Sequence, residues 1–379
     1  MKFRAERTEF ADAVVWAQRT VGDRATLPAL SGIRLELTGD RLMLASSNLE
    51  IDSMLSIPVQ RERDGVGLVP GKLLADVVRS LPAAAVSAEV TGDVLTLKCG
   101  RAQFALRLMP VEDFPALKQP SSDASIAVCK AEDFARMVAQ VARAASTDDA
   151  RPVLTGVKLE ATATSLTASA TDSYRLAVCE LLWDRGVETS VLVPRRALDQ
   201  ARHAAELLGS EVRLILEPNQ AAFAFSDRQI TTRLIEGTFP DTSQLIPDTW
   251  DRRLTVDRCE FLEVVKRVAV VGDVNTSITP VTLQLSTDAV VVKAGSGEVG
   301  RGEETLSGTL EGDDLQIAFN PRYLTDGLEV AGSERLVLEF RDELKPAVLR
   351  PLRSSADEDA QEPDPAYPRF FYLLMPVRI

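Results

Sequence analysis

Apolar residues recur at helical spacing three times along the chain. Phe10, Val14, Ala17 and Val21 form the first set, Phe134, Val138, Val141 and Ala145 the second, and Phe261, Val265, Val268 and Gly272 the third. Each set has offsets of four, seven and eleven, which place its members on one face of an α-helix. The three phenylalanines lie 124 and 127 residues apart. Behind each helix the pattern changes to period two, as in Arg41–Ser46 and Ala289–Ala294, the alternation of a half-buried strand. A second helix is predicted in each copy behind a proline (Pro70, Pro194 and Pro321), again 124 and 127 residues apart. Proline is tolerated there because the first turn of a helix leaves its N–H groups unpaired anyway.

Local strings repeat with the pattern. Leu27-Pro28-Ala29-Leu30-Ser31-Gly32-Ile33-Arg34-Leu35-Glu36 matches Arg151-Pro152-Val153-Leu154-Thr155-Gly156-Val157-Lys158-Leu159-Glu160, and Thr279-Pro280-Val281-Thr282-Leu283-Gln284-Leu285 is a weaker third copy. The first two copies close on Asp113-Phe114-Pro115 and Thr238-Phe239-Pro240. The chain therefore reads as α+β: three repeated domains, each with two helices packed on antiparallel sheets of roughly eight strands. A repeat this long is a duplicated domain, too large for a solenoid unit. The expected domains are residues 1–120, 121–248 and 249–379. Ser354 to Pro368, rich in Asp, Glu and Pro, is expected to be a solvated loop in the third copy.

Composition narrows the class of function. The chain has 379 residues, 45% hydrophobic and 26% charged, which is ordinary for a globular protein. No apolar run reaches the ~18 residues of a membrane helix, and Met1 to Arg7 has no apolar core of a signal peptide. The four cysteines, Cys99, Cys129, Cys179 and Cys259, are dispersed and read as reduced thiols of a cytoplasmic protein. The formal net charge is −13, which taken whole opposes binding to phosphate. The six predicted helices, however, are close to neutral, so the excess acid lies in strands and loops. A fold that turned its helices toward a polyanion would show it the least negative surface. The basic side chains on that surface would be Arg24, Lys72, Arg79, Arg136, Arg143, Arg195, Arg196, Arg202, Lys266 and Arg267. The plain alternative is six solvated helix faces.

Motifs for catalysis are missing. Gly295-Ser296-Gly297-Glu298-Val299-Gly300 matches the glycine pattern of dinucleotide sites, but a strand rather than a helix is predicted after it, so it reads as a β-turn. The single histidine, His203, has no partner set for zinc. No serine-hydrolase elbow or phosphate-binding loop occurs. No metal or cofactor is expected, although the abundant carboxylates leave room for an enzyme with an unrecognised carboxylate site.

Four strings, in order and on the threefold repeat, resemble the bacterial DNA polymerase III beta subunit, the beta sliding clamp family, and its actinobacterial members in flavour. They are Ala170-Thr171-Asp172-Ser173-Tyr174-Arg175-Leu176-Ala177, Arg151 to Val157, Glu236-Gly237-Thr238-Phe239-Pro240-Asp241, and Leu374-Met375-Pro376-Val377-Arg378-Ile379. The resemblance covers essentially the whole chain. It implies a head-to-tail homodimeric ring around duplex DNA, with helices inside and sheets outside, and no catalysis. It also implies partners: the DNA polymerase III alpha subunit, the clamp loader, and other polymerases and repair proteins. Their peptide motifs would dock between the second and third domains. By resemblance that pocket would be lined by Leu154, Thr171, Ser173, Tyr174, Arg175, Leu176, Pro240, Leu245, Leu373, Met375, Pro376, Val377 and Arg378. The adaptable Met and Leu surfaces suit varied apolar side chains. Ordinary strand packing is the alternative for the Met375-Pro376 tail.

Two departures stand out. Pro152 and Val153 occupy a loop where many clamps carry aromatic residues. Thr242-Ser243-Gln244 fill the stretch where the family has an aromatic and then basic residues. The second departure suggests a divergent clamp copy altered to escape a clamp-binding inhibitor. A protein-interaction scaffold with no DNA role is the remaining alternative.

Overall fold

The structure is a computed structural model that describes all residues except 23–26, 122–123, 184–186, 243–244, 247–248, 272–278, 296–299, 353–369 and 379. Arg24, Ser243, Gln244, the centre of the glycine-rich turn and the acidic Ser354–Pro368 segment therefore lie outside the described residues.

Among the described residues, six α-helices are present where the pattern predicts them: α1 (Arg7–Gln18), α2 (Gly71–Ser80), α3 (Ala131–Ala142), α4 (Arg195–Leu208), α5 (Arg258–Ala269) and α6 (Pro321–Val330). The first helix of each copy buries its periodic face: Phe10, Val14 and Ala17; Phe134, Val138 and Val141; Phe261, Val265 and Val268. Each phenylalanine is fully buried, contributing roughly 1.5–3 kcal/mol. The α-helices α1 and α3 stop short of Val21 and Ala145, the last members of their apolar sets. After α1, Arg19, Thr20 and Val21 donate to carbonyls three residues back, and Ala144 and Ala145 do the same after α3. The apolar periodicity runs on through this tightened last turn, where the α-helical ladder has already ended.

The described strands form three antiparallel sheets of five, eight and twelve strands. The chain divides into two compact units: Met1–Glu132 with His203–Leu234, and Asp133–Arg202 with Ile235–Ile379. The sheets cross the repeat boundaries inside each unit. In the first unit, Arg228–Arg233 of copy two pairs with Ile51–Pro58 of copy one. In the second, Phe371–Leu374 of copy three pairs with Arg175–Leu182 of copy two. The same handover occurs twice: the last strand of one copy joins the fourth strand of the preceding copy.

Glycines 295 and 300 flank a connection into the strand Gly302–Glu311. The strand after the glycine pattern is thus as expected, without the helix a dinucleotide site needs.

Candidate functional site

One turn organises the candidate pocket. Asp172 Oδ1 accepts the backbone N–H groups of Tyr174 (3.0 Å) and Arg175 (3.1 Å), while Oδ2 accepts Arg175 Nε at 2.9 Å. Thr171 Oγ1 donates to the Arg175 carbonyl at 2.6 Å. Ser173, between them, is held at φ +79°, a conformation short polar residues tolerate better than most. Copy one builds the same turn 124 residues earlier: Asn48 Oδ1 accepts Glu50 and Ile51 N–H, and Leu49 has φ +75°. What differs is the side chain that follows. Copy one carries Ile51 where copy two carries Arg175.

The Arg175 side chain is 7% exposed. Its Nη1 donates to Asp326 Oδ2 (2.5 Å) and to the Tyr372 hydroxyl (3.1 Å), and its guanidinium lies 4.4 Å from the Tyr323 ring centre. Tyr174 stacks on Tyr323 at 6.3 Å. Burial alone would lower the Arg175 pKa, but Tyr372, Asp326 and Asp172 outweigh it and hold it above its ordinary value. Burial pushes the Tyr372 phenol up, so at neutral pH its hydroxyl is protonated and accepts from the cation.

Immediately after this network comes an apolar floor. Leu176 pairs across the sheet with Leu373, and Leu373 with Val348. These three are fully buried, and Val178, Ile246, Trp250, Phe371 and Met375 pack on them partly exposed. Facing cross-strand side chains of this kind are the usual stabilising unit of a sheet; here their rim stays open. Val178, Ile246 and Phe371 also line a groove of about 440 Å³ that continues past Phe239, Pro240, Asp241 and Thr242.

The structure thus brings Leu176, Leu373 and Met375 into one cluster and places Pro240 on the adjoining groove. Thr171, Ser173, Tyr174 and Arg175 form the neighbouring turn. Leu154 is buried at the end of a short 3-10 turn, its carbonyl accepting Ser146 N–H. Leu245 is 42% exposed, and the next residue, Ile246, is the one seated on the floor. The tail is pinned: Met375 N–H donates to Tyr174 O (2.9 Å) and Val377 N–H to Ala318 O (2.8 Å), with Pro376 half-buried between them and Arg378 exposed. Sequence reasoning missed Val178, Ile246, Trp250, Val348 and Phe371. Period two could have found two of them, since Val178 shares a face with Leu176, and Phe371 with Leu373.

The described basic candidates are dispersed over several helices. Lys72 and Arg79 are exposed on α2, with Arg79 3.4 Å from Asp76. Arg136, Arg143, Arg195 and Arg202 line one cleft of about 990 Å³ in the second unit, together with Arg151, Arg175 and Arg322. Carboxylates share that cleft. Arg136 pairs with Asp133, Arg195 with Asp199 (3.3 Å), and Arg143 with both Asp326 (3.2 Å) and Glu329. Arg196 is exposed at the start of α4. Lys266 pairs with Glu329 (2.9 Å) and Arg267 with Glu304 (2.8 Å). His203 lies 3.5 Å from Glu206. The Cys179 thiol is pushed up to about 12 by burial and donates to Gln140, a structural role. Among the described residues, no three His, Cys, Asp or Glu side chains are arranged to hold a metal ion.

A triplicated α+β scaffold with a shaped apolar floor and an arginine-rich cleft defines a binding protein of the clamp class. Family models for the DNA polymerase III beta subunit match in order: its N-terminal domain at residues 1–118, its central domain at 129–241 and its C-terminal domain at 243–362. The beta sliding clamp of Streptomyces coelicolor is 38% identical over 388 residues, covering 100% of both chains. The "Beta sliding clamp homolog GriR" of Streptomyces muensis is 34% identical, covering 100% of this chain and 99% of its own. The crystal structure of a Pseudomonas aeruginosa sliding clamp bound to griselimycin superposes with a TM-score of 0.90 at 26% identity, covering 100% of each chain. The chain belongs to the DNA polymerase III beta subunit, or beta sliding clamp, family, whose members are non-catalytic processivity factors.

Proposed function

We propose that this protein encircles duplex DNA and tethers the DNA polymerase III alpha subunit, the clamp loader and other polymerases and repair proteins, without sequence specificity, in the cytoplasm. Its three domains are read as residues 1–120, 121–248 and 249–379. The observation that carries the reading is the partly exposed apolar rim of Val178, Ile246, Phe371 and Met375 over the buried floor of Leu176, Leu373 and Val348. An extended peptide with apolar anchors fits such a floor, and a tether of this kind works by raising the partner's local concentration at the template.

The strand handover supports a head-to-tail homodimer. Among the described residues, Ala102–Arg107, the last strand of copy one, pairs on one side alone, with Val94–Cys99. In Gly302–Glu311, the fourth strand of copy three, residues 302–307 likewise pair on one side among the described residues, with Ala289–Ala294. One donor edge and one acceptor edge are thus left for a second molecule, and pairing them hides both. Arg101 and Arg107 flank the donor, while Glu303 and Glu304 lie on the acceptor.

The test is retention on DNA. A dimer that stays on closed circles after loading and leaves linear DNA by its ends is the expected result. A monomer held equally on both sinks the proposal.

A second reading is favoured by Thr242 on the wall of the groove and by the similarity to GriR. In it, this clamp is a divergent copy whose pocket is altered against an inhibitor of the griselimycin kind. Its affinity for griselimycin should fall about tenfold or more relative to the Streptomyces coelicolor clamp. Equal affinities would remove this reading while leaving the clamp function intact.

A further inference from the structure

A chain of charges runs from the apolar floor into the arginine-lined cleft. Asp172 holds Arg175, Arg175 holds Asp326, Asp326 also reaches Arg143, Arg143 also pairs with Glu329, and Glu329 holds Lys266. Two carboxylates in this chain are each shared by two cations. Asp326 offers Oδ2 to Arg175 at 2.5 Å and Oδ1 to Arg143 at 3.2 Å. Glu329 serves Arg143 and Lys266.

The two cations that share Asp326 differ in exposure. The Arg175 side chain is 7% exposed and Arg143 44%. Arg143 can therefore turn to a phosphate entering the cleft, whereas Arg175 cannot leave. Withdrawing Arg143 strands no charge, because Asp326 keeps Arg175 and Glu329 keeps Lys266. This avoids the heavy cost of leaving a buried ion without a partner.

The buried end sits against the floor. Arg175 precedes Leu176 in sequence, and its hydrogen-bond partner Tyr372 precedes Leu373. A tighter grip on Arg175 holds the starts of both floor strands.

We propose that Asp326 is a positioning residue shared by the two sites, so that a polyanion bound at Arg143 tightens binding of an apolar-anchored peptide on the Leu176–Leu373 floor, and the reverse. The inference rests on the function proposed above. With Arg143 on a phosphate, Asp326 acts on Arg175 alone, and the floor is ordered before the peptide arrives, which removes part of the cost of binding. Linkage requires the effect to be reciprocal.

The experiment uses the full chain, a short linear DNA duplex, and a fluorescent peptide of zero net charge with leucine and phenylalanine anchors. Neutrality of the peptide removes direct repulsion from the DNA. Saturating duplex should tighten the peptide about fivefold, and saturating peptide should tighten the duplex by the same factor. Arg143→Ala should show the tightened peptide affinity without duplex and no further gain with it. Asp326→Asn should abolish the coupling and Asp326→Glu restore it, which a merely structural role would not do. Peptide and duplex binding with unchanged affinities in the unaltered protein overturns the inference alone, as does coupling that survives in Asp326→Asn. Should Asp326→Asn not fold, Arg143→Ala decides: a peptide affinity equal to that of the unaltered protein without duplex overturns the inference. Absence of any peptide binding overturns the proposed function and this inference with it.

Discussion

Arg175 shows how much a single side chain can hold together. Its guanidinium donates to two carboxylates and a phenol and lies over an aromatic ring, all within a buried space. A planar fork can serve these partners at once; an ammonium cannot. The close approach of α6 to Tyr372 depends on a neighbour. A Cβ on Gly327 would lie 2.6 Å from Tyr372 Cδ1. Glycine costs about 1 kcal/mol inside a helix, yet here it leaves room for the ring that receives Arg175. Gly327→Ala should destabilise the protein by about 1–3 kcal/mol through overpacking, read as a lower urea midpoint, and should weaken peptide binding along with it. An unchanged midpoint would mean that the ring moves freely, contrary to its complete burial. At this scale the sequence was only partly legible. The Thr171–Leu176 turn could be singled out because it lies in one of the strings that resemble the clamp family. Ile246 could not, because one residue of register in an irregular segment decides whether it or Leu245 faces the floor, and no periodicity fixes that.

At the level of elements, the helices were the easiest to read, since three copies of one apolar face reinforce one another. Their ends were harder, because a tightened final turn keeps the apolar spacing while ending the ladder. The sheets were legible as alternating strands but not as shared sheets. Which strand pairs with Arg175–Leu182 depends on a partner nearly two hundred residues away, and alternation carries no record of it. The contact of α6 with Arg143 and Lys266 makes a prediction about pH. The Lys266 hydrogen bond, helped by Arg143, holds the Glu329 carboxyl below its usual range. A carboxylate lowered in the folded state adds stability above its unfolded pKa and loses it as pH falls through the folded value. Thermal stability should therefore drop as pH falls below about 4.5, and Glu329→Gln should flatten that part of the profile. Glu329 is 30% exposed, so added salt should shrink the difference. An identical acid profile for the variant would show that the pair contributes nothing to folding.

For the molecule as a whole, where the charges sit bears on how a net charge of −13 fits the proposed polyanion partner. Arginines gather in the cleft of the second unit, several of them already paired with carboxylates. Such a surface is only mildly attractive to phosphate, and contacts of that kind are salt-sensitive and indifferent to sequence. The edges make a separate prediction. Arg101→Glu with Arg107→Glu sets like charges against Glu303 and Glu304 of a second molecule. The doubly substituted protein should sediment as a monomer at concentrations where the unaltered protein is a dimer, with its unfolding temperature little changed. A variant that remained dimeric would place the interface elsewhere.

The repeated strand handover has one more consequence. Two of the three joints are made within a single covalent chain, so dilution cannot part them. The third, if made between molecules, obeys mass action. The same antiparallel pairing would then be permanent at two places and reversible at one. Any factor that opened the assembly would find its point of entry determined by chain connectivity alone, with no need for a weaker set of contacts there.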